Sequence, residues 1–207
     1  MIAIVDYGAG NLRSVQKALQ FIGAPCEITA DARRIATAPG VILPGVGSFG
    51  DCMENMRKRA LAGPVRAAAL EAAAGGRPFL GICLGLQLLF EASQESPNEP
   101  GLAVLPGRVE KLPFGPGLKV PHMGWNSVAL RKDKGVFAGI PEGAYFYFVH
   151  SYRVRAEEEA DVAAQAEYGT VFDAAVARGL LTATQFHPEK SGETGLLLLK
   201  NFLELTK

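Results

Sequence analysis

The stretch RPFLGICLGLQLLFEAS, residues 77–93, joins an extended apolar run to a helical one, with a cysteine between two glycines at the junction. The apolar run predicts a buried strand over 79–82, then a sharp turn at Cys83 and a helix from about Gly85. Gly81 and Gly85 have no side chains, so neighbouring backbone can pass close to the turn. We therefore expect an abrupt strand-to-helix connection that holds the Cys83 side chain outward.

These residues, GICLG, have the small-x-nucleophile-x-small form of a nucleophile elbow, which holds its central side chain in a strained conformation. A helix amino terminus beside the sulfur of Cys83 favours the thiolate, which is the reactive form of cysteine. The alternative is a cysteine that only packs in the turn, because free cysteine is among the most buried residue types. The pentapeptide alone leaves both interpretations open.

Two earlier segments repeat the order of strand, glycine-rich turn and helix. MIAIVDYGAGN predicts a strand over 2–5, followed by a helix that Asn11 caps and Gly23 ends. GVILPGVGSFGD predicts a strand over 41–43 and a helix that begins near Asp51. Strands alternating with helices indicate a parallel sheet covered on both faces, with ligands at the carboxyl ends of its strands. We expect the three glycine-rich turns to share one edge of this sheet.

The second half of the chain has a different pattern of predicted elements. AYFYFVHSY, VAAQAEYG and DAAVARG indicate strands joined by turns, and an apolar run predicts a last helix over 196–205. We expect one domain over residues 1–207, of the α/β class. Its central sheet is predicted to be mostly parallel, with helices on both faces and an antiparallel portion in the second half.

Composition and charge narrow the possible partners. Lys plus Arg and Asp plus Glu number 21 each, so no broad basic face for nucleic acid or anionic lipid is predicted. No run approaches the roughly 18 apolar residues of a membrane span, and no secretory signal pattern is present. We expect a cytoplasmic protein with neither nucleic acid nor membrane as a partner.

The three cysteines are an odd number without metal-like spacing, so neither a disulfide framework nor a metal site is predicted. Cys26 and Cys52 lack flanking glycines and a nearby acid–base pair, and we interpret them as packing residues.

Cys83 needs a base to act as a nucleophile. His187 follows an apolar strand in TATQFHPEKS, and Glu189 lies two residues further on. An extended His-Pro-Glu segment can turn both side chains the same way, so that the carboxylate orients the imidazole.

An acyl-transfer site also needs hydrogen-bond donors for the oxyanion. The backbone N–H of Leu84 is one candidate, because it directly follows the nucleophile. The loop that contains Gly45, Val46 and Gly47 can offer a second donor, since glycine allows a peptide to turn its N–H inward. A plain tight turn is the alternative interpretation of this loop.

Together these motifs resemble the class I glutamine amidotransferases, which release ammonia from glutamine. Within that family the chain is similar to the glutaminase subunits of imidazole glycerol phosphate synthases, which act in histidine biosynthesis. The resemblance covers essentially the whole chain. It rests on VDYGAGNLRSV, PGVGSFGDCM, GICLGLQLLFEAS, VPHMGWN, YFVHSY and QFHPEKS, in that order.

The resemblance implies a flavodoxin-like fold, no cofactor and no metal. It implies that Cys83 attacks glutamine, that His187 transfers the proton and that Glu189 holds His187, through a glutamyl thioester that water hydrolyses. It also implies the glutamine-binding residues, which are Gly47, Gln87, Ser151 and Tyr152.

The same resemblance implies a heterodimer with a barrel-shaped cyclase subunit. Ammonia passes into that subunit and reacts with a ribulosyl aminoimidazole carboxamide nucleotide, giving imidazole glycerol phosphate and an aminoimidazole carboxamide ribonucleotide. We assign exposed or half-exposed residues of the subunit-specific motifs, together with Asn11, to the partner interface and the ammonia gate. They are Asn11, His122, Trp125, Asn126, Tyr147, His150 and Lys190. The alternative is that Trp125 and the tyrosines fill the core.

Rival functions remain at this point. The same elbow occurs in the glutaminase subunit of pyridoxal phosphate synthase and in some intracellular cysteine peptidases, but PHMGWN and QFHPEKS do not favour either. A non-catalytic binding subunit on the same fold is a rival of another class. Labelling of Cys83 by a glutamine-like electrophile distinguishes it from an enzyme.

Overall fold

The computed structural model describes residues 1–8, 10–113, 115 and 118–207. Its strands, in chain order, are β1 (Ile2–Val5), β2 (Cys26–Thr29), β3 (Val41–Gly45), β4 (Phe79–Cys83), β5 (Ala92–Ser93), β6 (Gly107–Lys111), β7 (His122–Ser127), β8 (Ala129–Leu130), β9 (Tyr145–His150), β10 (Tyr152–Ala156), β11 (Val162–Glu167), β12 (Val171–Arg178) and β13 (Leu181–Thr184). Its α-helices are α1 (Leu12–Phe21), α2 (Ala32–Thr37), α3 (Phe49–Lys58), α4 (Ala62–Ala73), α5 (Leu84–Gln87) and α6 (Gly192–Leu205). Short 3₁₀ turns cover Gly135–Phe137, Glu159–Asp161 and Pro188–Lys190.

Among the described residues, eleven strands form one mixed sheet, which confirms the predicted fold class. Its parallel part runs in the order β2, β1, β3, β4, β13. From β13 onward the sheet continues antiparallel through β12, β10 and β6, and β11 also pairs with β12. Strands β7 and β9 form a separate antiparallel pair. The change from parallel to antiparallel occurs in the second half of the chain, as predicted.

Alternate side chains of the parallel strands enter two different hydrophobic clusters. On β3, Val41 and Leu43 pack with residues of α2, α3 and α4, whereas Ile42 packs with residues of α1 and α6. Because successive side chains of a strand point to opposite faces, helices cover both faces of this part of the sheet. Strands buried on both faces account for the continuous apolar runs in the sequence.

The carboxyl ends of the three predicted strands lie at one edge of the sheet. Strand β3 lies between β1 and β4 and is parallel to both, and Gly45 is paired with Cys83 at the ends of β3 and β4. This confirms that the turns after these strands share an edge, which is where a parallel sheet binds its ligands.

Several local predictions were wrong in their bounds. Helix α3 begins at Phe49 rather than near Asp51, because the Ser48 side chain accepts a hydrogen bond from the Asp51 N–H and caps the helix earlier. Helix α5 is a single turn that ends at Gln87, although the apolar run continues to Phe90. Helix α6 begins at Gly192 rather than at residue 196. None of the helices in the described part of the chain is long and apolar enough to cross a membrane.

Candidate active site

Cys83 is the last residue of β4 and directly precedes α5. Its backbone has φ 55° and ψ −108°, a conformation that residues with side chains rarely adopt. Such strain costs on the order of 1–3 kcal/mol and persists only where the surrounding structure imposes it. The side chain lies in the wall of a cavity of about 310 Å³. The strained turn thus presents the sulfur to this cavity.

The two glycines around Cys83 are required by close packing. A Cβ on Gly85 would lie 1.9 Å from the carbonyl oxygen of Leu43 in β3. A Cβ on Gly81 would lie 2.9 Å from the Cβ of Ala183 in β13. The elbow is therefore packed directly against both neighbouring strands. This confirms the expectation that backbone passes close to the turn.

His187 and Glu189 form a buried pair next to the cysteine. The distance from His187 Nδ1 to Glu189 Oε1 is 2.8 Å, and the two side chains are 1% and 0% exposed. The predicted extended segment is wrong, because Pro188–Lys190 is a 3₁₀ turn. The turn still brings the two side chains together, because His187 lies before it in an extended conformation. Glu189 thereby fixes which nitrogen of the ring carries a proton.

The other ring nitrogen of His187, Nε2, is buried and has no hydrogen-bond partner among the described residues. Burial opposes the charged ring, but the nearby Cys83 sulfur and the Glu189 carboxylate outweigh it and raise the pKa of His187 to about 9. A ring with this pKa readily accepts the proton of a neighbouring thiol. The buried pair therefore places an acceptor for the thiol proton beside Cys83.

Asn11 does not cap α1, contrary to expectation. Its backbone is left-handed, with φ 70°, and within the described part of the chain its side chain makes no capping hydrogen bond. Instead its Nδ2 donates a short hydrogen bond to Oε1 of Glu189. Asn11 therefore contacts the same carboxylate oxygen as His187. The sequence could not reveal this contact, because 178 positions separate Asn11 from Glu189.

The end of β3 and the loop after it lie beside the cysteine, and the Tyr7 hydroxyl and the Cys52 thiol each contact one carbonyl of this segment. The Tyr7 hydroxyl donates to the Pro44 carbonyl over 2.8 Å, and burial raises the pKa of Tyr7, so this hydroxyl keeps its proton. The Cys52 thiol contacts the Val46 carbonyl over 3.7 Å, and burial raises the pKa of Cys52 to about 11. Because C=O and N–H of a peptide point in opposite directions, the Gly47 N–H points away from Cys52.

The residues predicted to hold the oxyanion occupy two positions. Val46, Gly47 and Leu84 line the cavity together with Cys83. Gly45 packs behind it, where a Cβ would lie 2.7 Å from the Gly85 nitrogen.

The predicted glutamine-binding residues also meet at this cavity. Its wall includes Gly47, Gln87, Ser151 and Tyr152, together with Cys83, Leu84 and His187. Gln87 is buried, and its Nε2 donates to the Tyr152 carbonyl over 3.0 Å. Residues from distant parts of the sequence thus form one pocket around the sulfur.

Two polar residues of the site were not among the predicted ones. Glu95 lines the cavity, and its carboxylate accepts the Phe49 N–H over 2.7 Å at the amino terminus of α3. Gln185 is fully buried, and its Nε2 lies 3.7 Å from the Cys83 sulfur. A polar residue within the apolar run LLTATQF was a signal for Gln185, whereas the loop sequence around Glu95 gave none.

The prediction that His122 and His150 are exposed or half-exposed was wrong. They are 4% and 5% exposed, and they face each other in the β7–β9 pair with His122 Nδ1 2.9 Å from His150 Nε2. The alternation along β9 explains their burial, since Phe146, Phe148 and His150 share its buried face. His150 also lines the cavity.

The opposite face of the β7–β9 pair carries exposed apolar and aromatic side chains. Met123, Trp125 and Tyr145 are 63%, 56% and 60% exposed, so Trp125 does not fill the core. The Trp125 ring packs edge-on against Tyr147, and the Lys190 ammonium lies 5.9 Å from the centre of the Tyr147 ring. We call these five residues the aromatic patch. Asn126, on the buried face, donates to the Glu167 carbonyl over 2.9 Å.

Comparison with known families and relatives gives consistent results. Residues 3–205 match the family model described as glutamine amidotransferase class-I. The imidazole glycerol phosphate synthase subunit HisH of Moorella thermoacetica is 53% identical over 206 residues, which are 100% of this chain and 95% of that relative. The subunit of the same name from Rhodopirellula baltica is 53% identical over 202 residues, 98% of this chain and 96% of that relative.

Solved structures share the fold at lower identity. A crystal structure of a glutamine amidotransferase superimposes with a TM-score of 0.76 and 22% identity, covering 100% of this chain and 99% of that one. The structure of PurLQS from Thermotoga maritima gives 0.72 and 20%, covering 100% and 98%.

Proposed function

Because the chain belongs to the class-I glutamine amidotransferases and, within them, to the HisH subunits of imidazole glycerol phosphate synthase, we propose that it hydrolyses glutamine and supplies ammonia to a cyclase subunit. The observation that carries the proposal is the position of Cys83. It lies on a strained turn and shares a cavity with His187, whose Nδ1 is 2.8 Å from Glu189. This is the arrangement of nucleophile, base and orienting acid that acyl transfer requires.

The reaction proceeds in two halves. The Cys83 sulfur attacks the side-chain amide carbon of glutamine, and the thiol proton passes to Nε2 of His187 and then to the departing ammonia. Water, deprotonated by His187, then hydrolyses the thioester, which yields glutamate and the free thiol. Glu189 keeps Nδ1 protonated and stabilises the imidazolium in both halves. The pKa of about 9 for His187 suits the first half, because the Cys83 sulfur and the Glu189 carboxylate stabilise the charged ring that takes the thiol proton.

The cavity offers groups for each part of the substrate. The N–H groups of Leu84 and of the Val46–Gly47 segment serve the oxyanion that develops on the amide. Gln87, Ser151 and Tyr152 line the cavity and hold the glutamine. The Glu95 carboxylate is the charged acceptor for its α-ammonium group.

We assign the aromatic patch to the interface with the cyclase subunit. The patch is adjacent to the triad in sequence and in space, since Lys190 follows Glu189 and the Tyr147 carbonyl accepts the His187 N–H over 2.9 Å. Exposed tryptophan and tyrosine are frequent anchors of protein interfaces. Ammonia released at Cys83 then leaves on the side of the partner. Asn11, which contacts Glu189, lies on this side as well.

Trp125→Ala is expected to weaken binding of the cyclase subunit by about 2 kcal/mol, or about thirtyfold in Kd, because Trp125 is the largest exposed ring of the patch. Titration calorimetry with the purified cyclase subunit measures this change. Phe21→Ala is the matched control, since Phe21 is 79% exposed at the far end of α1. Equal Kd values for both variants and the natural chain would place the interface elsewhere.

The experiment that tests the function is glutamate release from glutamine in three conditions. The chain is assayed alone, with the cyclase subunit, and with that subunit plus its nucleotide substrate, each beside a Cys83→Ala chain. We expect activity that requires Cys83 and that rises when the cyclase subunit and its nucleotide are present.

Other outcomes select the rival functions. No glutamate in any condition, from folded protein, supports a non-catalytic binding subunit. A rate of glutamate release that is the same with and without the cyclase subunit supports a glutaminase that serves another synthase, such as pyridoxal phosphate synthase. The intact trio Cys83, His187 and Glu189 argues against the first rival, and the 53% identity to HisH subunits argues against the second.

A further inference from the structure

We propose that Gln185 is a further catalytic residue, whose side-chain amide donates a hydrogen bond to the Cys83 sulfur and stabilises its thiolate. This inference rests on the proposed glutaminase function. Gln185 directly follows β13, is fully buried, and places its Nε2 3.7 Å from Cys83 Sγ. A buried amide needs partners for its polar atoms, and here one of those partners is the nucleophile.

The orientation of the Gln185 amide follows from its neighbours. The Tyr152 carbonyl can only accept hydrogen bonds, so the Gln87 atom 3.0 Å from it must be the NH₂ nitrogen. The same NH₂ group lies 3.1 Å from a Gln185 atom, which must then be the oxygen Oε1. The NH₂ group of Gln185 is therefore the end that faces Cys83. An acceptor-only carbonyl thus settles an assignment that an isolated glutamine leaves open.

A second set of hydrogen bonds holds the Tyr152 carbonyl. His150 Nδ1 lies 2.8 Å from this oxygen and must carry a proton, so His150 Nε2 accepts from His122 Nδ1 over 2.9 Å. Burial lowers the pKa of His150 to about 3, which keeps the ring neutral and the direction of these bonds fixed. The carbonyl that orients Gln87, and through it Gln185, is therefore held from both sides.

The contacts of the sulfur show when the Gln185 hydrogen bond acts. As a thiol, Cys83 donates to the Val149 carbonyl over 3.8 Å. When its proton passes to His187 Nε2, the sulfur can only accept, and the contact with the carbonyl loses its attraction. The Gln185 N–H then remains as a neutral donor to the negative sulfur. No proton moves to or from Gln185, so its role is electrostatic.

Other titratable groups around the sulfur affect how the reactivity of Cys83 depends on pH. His187 supplies the charge that pairs with the thiolate, and Glu189 lies behind it. Tyr7, which follows β1, interacts with the sulfur and also with the Cys52 thiol of α3. His150 and Glu95 line the same cavity. All of them stay in place when Gln185 alone is changed.

The test is Gln185→Met, which keeps the length of the side chain and removes the N–H donor. The rate of Cys83 alkylation by iodoacetamide is measured against pH in the full chain, with the modified peptide quantified by mass spectrometry. We expect the midpoint of the plot of alkylation rate against pH to move about one pH unit higher. A shift of this size corresponds to the loss of one hydrogen bond to a charged group. With the cyclase subunit and its nucleotide, kcat should fall about tenfold while KM changes less than about twofold, because the contact matters to the thiolate and not to bound glutamine.

Gln165→Met is the matched control, because Gln165 is a β11 glutamine whose Nε2 donates to Asp173 over 3.1 Å, away from the cavity. Its alkylation profile should equal that of the natural chain.

If Gln185→Met does not fold, Gln87→Met tests the same idea, since it removes the group that orients Gln185 and should shift the profile in the same direction. An unchanged profile and kcat in a folded Gln185→Met chain would overturn the inference and leave the glutaminase function standing. Conversely, a natural chain that releases no glutamate would overturn the function, while the alkylation profile still reports on the contact between Gln185 and Cys83.

Discussion

Cys83→Ala should lower glutamate release by about 10⁴-fold or more, measured with the cyclase subunit and its nucleotide present, because the nucleophile takes part in both halves of the reaction. No other cysteine can replace it. Cys26 and Cys52 do not line the cavity, and burial raises the pKa of both thiols, so they stay protonated. Cys26→Ala is the matched control and should keep the activity of the natural chain.

The same substitution should alter His187 in a way that a folding defect does not. The Cys83 sulfur and the Glu189 carboxylate together raise the pKa of His187 to about 9, against the effect of burial. Removing the sulfur leaves burial less opposed, so the pKa of His187 should fall. Proton NMR titration of the imidazole C–H signals measures this, with His122 and His150 as internal references. A Cys83→Ala chain that keeps a tenth of the natural activity would refute the assignment of the nucleophile.

The fold could be predicted from local sequence because each of its first units carries its own signal. The apolar runs of β1, β3 and β4 are each followed by glycine-rich turns, and this order is enough to indicate parallel strands that end at one edge. The strained turn was visible as well, since Gly81 and Gly85 around Cys83 have no reason to be there unless backbone passes close by. Both inferences need only neighbours in sequence.

Errors arose where a distant contact overrides the local pattern. Asn11 is a residue type that often caps helices, but its side chain donates a hydrogen bond to the Glu189 carboxylate instead, which is a charged acceptor. His122 and His150 resemble exposed polar residues, yet their mutual hydrogen bond and the Tyr152 carbonyl satisfy them inside the fold. Such partners lie far apart in the chain, and one sequence alone does not pair them.

The site shows the same limit. Cys83, His187 and Glu189 are recognisable because they stand in short motifs with a chemical logic. Gln185 stands beside one of these motifs, but its contacts with Gln87 and Cys83 span 98 and 102 positions. Its role depends on the orientation of an amide, which only the surrounding hydrogen bonds determine.

Gly85→Ala should destabilise the protein by about 3–5 kcal/mol, a large part of the 5–15 kcal/mol typical of a folded domain. The added Cβ would lie 1.9 Å from the carbonyl oxygen of Leu43 and 3.0 Å from its carbonyl carbon. Both atoms belong to the backbone of β3, so no side-chain rotation relieves the clash. Strand β3 and the elbow would have to move apart until the added Cβ reached an ordinary contact distance, which is about 3.5 Å or more between carbon atoms.

Thermal unfolding followed by circular dichroism measures the loss, which corresponds to a fall in Tm of about 10 °C for a chain of this size. Gly63→Ala is the matched control, because Gly63 lies in α4 and a Cβ added there would meet no atom of another described element within 4 Å. In a helix this change should be neutral or stabilise by up to about 1 kcal/mol. A Gly85→Ala chain with the Tm of the natural protein would mean that the elbow can move away from β3. Since Gly45 and Cys83 are paired at the ends of β3 and β4, such freedom would also loosen the geometry between the oxyanion loop and the nucleophile. Stability and catalysis therefore depend on the same close approach, and the glycine that permits it serves both.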